Sequence, residues 1–278
     1  MTGLGIIAGG GELPVAVAQS ASESGRSIFI LSLNDLADDR LAKFPHEKAS
    51  PGEAGRILSL FRQHGCSDIV LVGKVARPKW NELKFDATAV RKLPKVMSAA
   101  LKGDDALLRS FVDILEGEGF RVVGVAEAAP GLLAPVGAVG KHRPSPRDEA
   151  DIKRGIEVVR TLGACDVGQA VVVCEGLVLA VEAAEGTDAM IARIAGLSET
   201  IRGTAEKPRG VLIKARKSTQ DGRTDLPVVG PDTVKNVLAV GLAGIAVEAG
   251  SSLVVNRQAV VERADGAGLF LFGFSPTA

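Results

Sequence analysis

The sequence predicts an α/β fold in two parts, a parallel-sheet domain followed by a mixed α/β domain. Three observations predict it. Continuous apolar runs alternate with helical patterns through the first half, as strands buried on both faces require. Prolines and glycines then crowd residues 130–145, with Pro130, Pro135, Pro144, Gly131, Gly137 and Gly140, which punctuates rather than propagates structure. Beyond that stretch the pattern restarts, now with hairpin signals among the helices. The expected domains are residues 1–132 and 133–278.

The elements follow in order. Leu4–Ala8 is an apolar run that meets Gly9, Gly10 and Gly11, and a helix follows from about Pro14 to Ser24. This strand, glycine turn and helix make the first domain Rossmann-like. Ser27–Leu33 reads as the second strand, Pro51–His64 as a helix and Ser67–Gly73 as a Val/Ile/Leu strand. A helix over Asp104–Glu118 opens on acids, which suit the helix dipole, and is broken by Gly117 and Gly119. Phe120–Glu127 reads as another strand. In the second half Pro146 opens a helix that ends near Gly163. Gln169–Cys174 and Leu177–Ala183 form a hairpin about Glu175–Gly176. A helix over residues 186–197, a strand over 209–215 and a helix opened by Pro231 and Asp232 come next. Short strands over 244–250 and 251–256, a helix over Asn256–Asp265 and a strand over 268–274 complete the chain.

Composition excludes several function classes. The 33 Lys and Arg residues balance 33 Asp and Glu residues, so no global charge recruits nucleic acid. The cysteines, Cys66, Cys165 and Cys174, form no CxxC pair and each adjoins an apolar segment, which predicts buried thiols in a reducing compartment. No secretory leader is expected, and no uncharged apolar run reaches the ~18 residues of a membrane span. A cytoplasmic protein is expected, with peripheral contact at a membrane surface left open. His46, His64 and His142 lack zinc spacing, and no GxSxG nucleophile elbow occurs.

Four stretches carry chemistry. Gly9, Gly10 and Gly11 stand where backbone N–H groups and a helix N-terminus can meet a phosphate. Pro14 stands where the dinucleotide fingerprint needs its third glycine, although the acid Asp35 follows the second strand. No Lys–Ser/Thr pair follows, so the turn is no P-loop. Lys74 and Arg77 follow the strand ending near Gly73 and suit an anionic ligand at the carboxyl end of a sheet. Glu182, Glu185, Thr187 and Asp188 lie at a strand end and the next helix turn, where oxygens can hold a hard cation such as Mg²⁺ or cap the helix. Lys214, Arg216, Lys217, Gln220, Asp221, Arg223 and Asp225 follow another strand. Cations there can clamp a diphosphate, and a carboxylate can bind Mg²⁺ or orient water. Glu248, between apolar segments, reads as a structural hydrogen-bonder rather than a site member.

On these residues alone three readings stand. One is Mg²⁺-dependent cleavage of a phosphoanhydride. A second is a nicotinamide-dependent oxidoreductase, against which the missing glycine counts. The third is a non-catalytic nucleotide-sugar or lipid-binding protein.

GIIAGGGELP, LVGKVARP, VEAAEGTDAMI, KSTQDGRTDLPVVGPDTV and GIAVEAG, in that order, resemble the UDP-2,3-diacylglucosamine pyrophosphatases of lipid A biosynthesis. The resemblance is to the two-domain type, distinct from the calcineurin-like enzyme. It implies hydrolysis of UDP-2,3-diacylglucosamine to 2,3-diacylglucosamine 1-phosphate (lipid X) and UMP, with water attacking the sugar-side phosphorus. It implies Mg²⁺ as cofactor, an active site in the interdomain cleft, an acylated nucleotide-sugar as substrate and no nucleic-acid partner. Contact with the inner membrane surface and a homo-oligomer stay open. Under this resemblance the catalytic groups are Asp225, Asp221, Lys214, Lys217 and Arg223. Substrate binding falls to Gly9, Gly10, Gly11, Lys74, Arg77, Thr187 and Gln220, and the metal to Asp225, Asp188, Glu185 and Glu182. The apolar segment Leu132–Val139 is a candidate wall for the acyl chains.

Overall fold

The structure is a computed structural model that describes residues 2–33, 38–75, 83–101, 103–217 and 226–276. The chain forms two compact units, Met1–Gly131 and Leu132–Ala278.

The first unit is a five-stranded sheet of β1 (Gly3–Ala8), β2 (Ile28–Leu33), β3 (His46–Ala49), β4 (Cys66–Val72) and β5 (Arg121–Val122), in the order 3-2-1-4-5. Every pairing is parallel. Helices α1 (Leu13–Glu23), α2 (Ala54–Gln63), α3 (Ala87–Ala100) and α4 (Asp104–Gly117) connect the strands. Phe29, Leu31, Phe61, Ile69, Leu115 and Phe120 form an apolar core in this unit. The strand order reverses between β1 and β4, so the carboxyl ends of those two strands bound the crevice where such sheets receive ligands.

The strand expected over Phe120–Glu127 is shorter. β5 covers two residues, and a helical turn, α5 (Val125–Ala128), replaces the rest. Gly124, in extended backbone, ends the strand path and starts the turn. The Pro/Gly-rich stretch is not all connection either. Pro130–Leu132 forms a 3₁₀ turn, and β6 (Gly137–Ala138) pairs with the last strand. Two elements escape the periodicity reading. β3 reads HEKA and is held by its pairing with β2 at the sheet edge, not by apolar alternation. α3 contains Pro94, which cannot donate to the preceding turn, yet the helix continues around it.

The second unit is a six-stranded mixed sheet in the order β6-β13-β11-β9-β7-β8. Its strands are β7 (Ala170–Cys174), β8 (Leu177–Val181), β9 (Val211–Lys214), β11 (Gly244–Glu248) and β13 (Phe270–Phe274), with β6 at the edge. β9, β11 and β13 are parallel, and β6, β7 and β8 run against their neighbours. A separate parallel pair joins β10 (Val228–Val229) to β12 (Leu253–Val254). One face packs on α6 (Pro146–Ala164) through Ile152, Ile156 and Val159. The other packs on α7 (Gly186–Ile194), α8 (Pro231–Ala239) and α9 (Arg257–Gly266) through Ile191, Val237 and Val260.

Acids that accept backbone N–H groups lock local geometry in both units. Asp151 on α6 accepts the N–H groups of Glu175 at 2.9 Å and Gly176 at 2.7 Å. It thereby fixes the hairpin turn, whose two residues have φ of 52° and 80°. Asp86 caps α3 through the Ala89 N–H at 2.7 Å and also takes the Gly55 N–H of α2 at 2.7 Å. Cys66 and Cys174 are buried, and burial pushes each thiol up to about 11. Cys165 departs from the expected burial: it stands just past the last residue of α6, where the chain turns out to solvent.

Asp68 of β4 is buried and takes hydrogen bonds from Arg121 at 2.9 Å, from Arg26 and from the Thr2 hydroxyl. Burial raises its carboxyl, but these bonds outweigh burial and hold it below the ordinary value. Its native pKa therefore lies below the unfolded one, so its contribution is complete above ~4 and is lost as pH falls through the native value. Replacing Asp68 by Ala strands the nearly buried Arg26 guanidinium, whereas the exposed Arg121 keeps Glu127, and is expected to cost about 3 kcal/mol at neutral pH. Urea unfolding of wild type and Asp68→Ala should show that gap closing as pH falls below ~4. A gap independent of pH would remove the ion cluster as its cause.

Candidate active site

In the first unit the glycine turn joins the ends of β1 and β4. Gly9 donates its N–H to the Val72 carbonyl at 2.8 Å. Gly10 and Lys74 exchange backbone bonds of 2.9 and 2.8 Å. A Cβ on Gly9 would stand 2.6 Å from the Lys74 carbonyl, so the close approach of the two strand ends requires glycine. Gly11 needs no space but has φ of 100°, which favours glycine. The fold thus uses the Gly9 and Gly10 N–H groups. Among the described residues the N–H groups of Gly11, Glu12 and Leu13, at the start of α1, have no backbone acceptor. Those three are the groups of this turn that can meet an anion. The exposed Lys74 stands across the turn, at the point where the strand order reverses. Arg40 lies 3.5 Å from Glu12 and pairs with Asp38 at 2.7 Å, and its hydrogen bonds lower the Asp38 carboxyl to about 2. Asp35 and Arg77 lie outside the described residues.

In the second unit strand register assembles one edge from distant sequence. Lys214 ends β9, Ala170 pairs with it at the start of β7, and Glu182 follows β8. Glu248 ends β11 on the same edge. Lys214 is only 5% exposed, and its ammonium donates to the Val228 carbonyl at 3.0 Å. Glu182 is also buried and takes the Thr187 hydroxyl at 2.6 Å and the Gln169 N–H at 3.0 Å. Glu185 pairs with Arg193 at 3.2 Å, and Asp188 accepts from the Asn236 amide at 2.9 Å. Lys217 pairs with Asp166 at 3.0 Å, and Glu248 accepts the Arg216 N–H at 3.1 Å. That last bond matches the structural part expected for Glu248.

Glu182, Glu185 and Asp188 therefore each have a protein partner. Among the described residues no group of three His, Cys, Asp or Glu side chains is arranged to hold a metal. Gln220, Asp221, Arg223 and Asp225 lie outside the described residues. The edge also includes Gln169 and Asp166, which the sequence reading did not single out. Neither carries a local signal. Gln169 is placed by register, through its carbonyl to the Ala215 N–H at 3.1 Å, and Asp166 by a turn with φ of 56°.

As a hydrogen-bonded clamp, Glu182 ties the entry to β7 to the first turn of α7. Glu182→Ala would leave a part-buried N–H and a part-buried hydroxyl without this acceptor, and is expected to cost about 1–3 kcal/mol. Thermal unfolding without added metal measures this directly. An unchanged midpoint would show that the clamp contributes nothing to the fold.

Comparison with known proteins bears on the whole chain. A model of the LpxI N-terminal domain matches residues 3–132, and a model of the LpxI C-terminal domain matches residues 135–272. The UDP-2,3-diacylglucosamine pyrophosphatase LpxI of Caulobacter vibrioides is 46% identical over 276 residues, covering 99% of this chain and 99% of that protein. With both domain models matched in order and nearly the full length aligned, the chain belongs to the LpxI family.

Proposed function

We propose that this protein hydrolyses the diphosphate of UDP-2,3-diacylglucosamine, yielding 2,3-diacylglucosamine 1-phosphate and UMP. The observation that carries this reading is the 46% identity, across 99% of both chains, to a relative of that named activity. The site chemistry supports it. A diphosphate brings concentrated negative charge, and the carboxyl ends of both sheets offer cations or helix N–H groups. Taken separately, the first unit offers the N–H groups of Gly11, Glu12 and Leu13 with Lys74, which suit a phosphate, and the second offers Lys214 and Lys217, each also bonded to a protein oxygen.

In this reading water adds to the phosphorus beside the sugar. The bond from that phosphorus to the bridging oxygen breaks, and the bridging oxygen leaves on UMP. One proton of the water passes to a base, for which Asp225 is the candidate on sequence. Mg²⁺ is retained as a proposed cofactor, which would supply charge neutralisation when bound. The described carboxylates Glu182, Glu185 and Asp188 do not form a ligand set for it, so no step here is routed through the metal. Asp221 and Asp225 remain its candidate ligands on sequence. Thr187 and Gln220 remain candidates for substrate contact, although the Thr187 hydroxyl is donated to Glu182.

Turnover in water enriched in oxygen-18 tests both product and direction of attack. The label is expected in the phosphate of 2,3-diacylglucosamine 1-phosphate and not in UMP. Label in UMP would reverse the assignment of the attacked phosphorus, and no cleavage at all, with or without Mg²⁺, would sink the function. Asp225→Ala is expected to bind substrate but to lose at least about 100-fold in kcat, as the removal of a general base does. Full activity in that variant would remove Asp225 from the chemistry.

A further inference from the structure

Helix α3 exposes a stripe of apolar side chains that the proposed reaction does not use. Val90 is 54% exposed, Met97 39% and Leu101, the residue just past the helix, 88%. Pro94 is exposed between them. The spacing 90, 94, 97, 101 places all four on one side of the helix, while Ala89 and Val96 face the core. Four such side chains in a row on an outer face exceed the scatter of single exposed apolar residues found on any protein.

The charges carried by the helix itself have one sign. From Ala87 to Ala100 the helix carries Arg91, Lys92 and Lys95 and no acid. Lys84, exposed, precedes it. The nearby Asp86 carboxylate is held by backbone N–H groups as a cap. Lys92 pairs with Glu118, beyond the end of α4, and Lys95 with Asp113 of α4, which leaves Arg91 and Lys84 as the cations not held by an acid among the described residues. An apolar stripe on a helix with only basic charges fits an anionic lipid surface, where the apolar side chains enter the headgroup boundary and the cations meet phosphates. A second copy of the chain fits less well, because four side chains fall far short of the roughly 20–30 residues a side in a stable interface.

We propose that α3 docks this protein on anionic bilayers through Val90, Pro94, Met97 and Leu101. The proposal rests on the function proposed above, since a nucleotide-sugar bearing two acyl chains resides in a bilayer and must be met there. Among the described residues no helix is long and apolar enough to cross a membrane, so a surface contact is the form of attachment the helices allow.

Sedimentation of the full chain with vesicles, either pure phosphatidylcholine or a mixture with phosphatidylglycerol, tests the surface. Wild type is expected to bind the anionic vesicles, less at high salt, and the double variant Met97→Glu/Leu101→Glu to bind about tenfold less. Both substitutions are at exposed positions, so an unchanged thermal midpoint checks the fold. Wild type left in the supernatant, or a variant that binds equally well, overturns the proposal. So does a drop in solution mass on substitution, which would give the face to a second copy. With substrate dispersed in detergent the variant should match wild type, and a variant inactive there would place the stripe in the reaction instead. If wild type itself fails to cleave the dispersed substrate, the function fails, while sedimentation still decides the surface.

Discussion

The buried ammonium of Lys214 is the constraint around which the second unit is arranged. A lysine with 5% exposure needs oxygen partners, because an uncompensated charge in such a place costs several kcal/mol. Lys214 meets that need in part through the Val228 carbonyl, which belongs to a different strand pair. One charged side chain thus couples the end of β9 to β10, and through the pairing of Val228 with Leu253 it reaches β12. Asp166 holds Lys217, and the Pro227 carbonyl takes the Leu253 N–H at 2.8 Å. Both ends of the segment carrying Asp221, Arg223 and Asp225 are therefore fixed by bonds of the surrounding fold.

The same logic operates in the first unit with backbone instead of charge. The mutual bonds of Gly10 and Lys74 bring the ends of β1 and β4 so close that Gly9 has no room for a Cβ. This closure uses two of the N–H groups that a glycine turn would otherwise present. It also places the next three N–H groups, at the head of α1, over the point where the sheet order reverses. In the first unit these polar groups sit at the carboxyl ends of parallel β1 and β4; in the second, Lys214 and Glu248 end parallel β9 and β11, while Glu182 and Gln169 flank antiparallel β8 and β7.

Much of this was legible from sequence. Continuous apolar runs such as Leu4–Ala8 and Val211–Lys214 read as strands because burial on both faces leaves no alternation to mistake. Pro146 with its acids read as a helix start, and the structure adds the reciprocal bonds between Ser145 and Asp148. What was not legible depended on partners far away in sequence. HEKA forms β3 only because β2 lies beside it, and α3 persists through Pro94 because its buried side packs while Asp86 caps it. Gln169 enters the candidate site by pairing register alone. The residue types of the candidate site were readable, but whether each was already engaged was not.

That last distinction decides how the carboxylates divide. Glu182, Glu185 and Asp188 look alike in sequence to a metal-binding cluster, since oxygen donors at a strand end and a helix start are what a hard cation needs. Their spacing is equally what a clamp needs. Glu182 accepts from a backbone N–H and a hydroxyl at the same time, which fixes both oxygens against the fold. Glu185 neutralises Arg193, and Asp188 accepts from Asn236 on α8. Each of these carboxylates thus has a part in holding the fold, and a cation would have to share its oxygens with that partner. In the proposed reaction Asp221 and Asp225 of the Lys214–Asp225 segment are the remaining sequence candidates for the metal and the attacking water. The start of that segment is anchored by Lys214, bonded to the Val228 carbonyl, and by Lys217, bonded to Asp166.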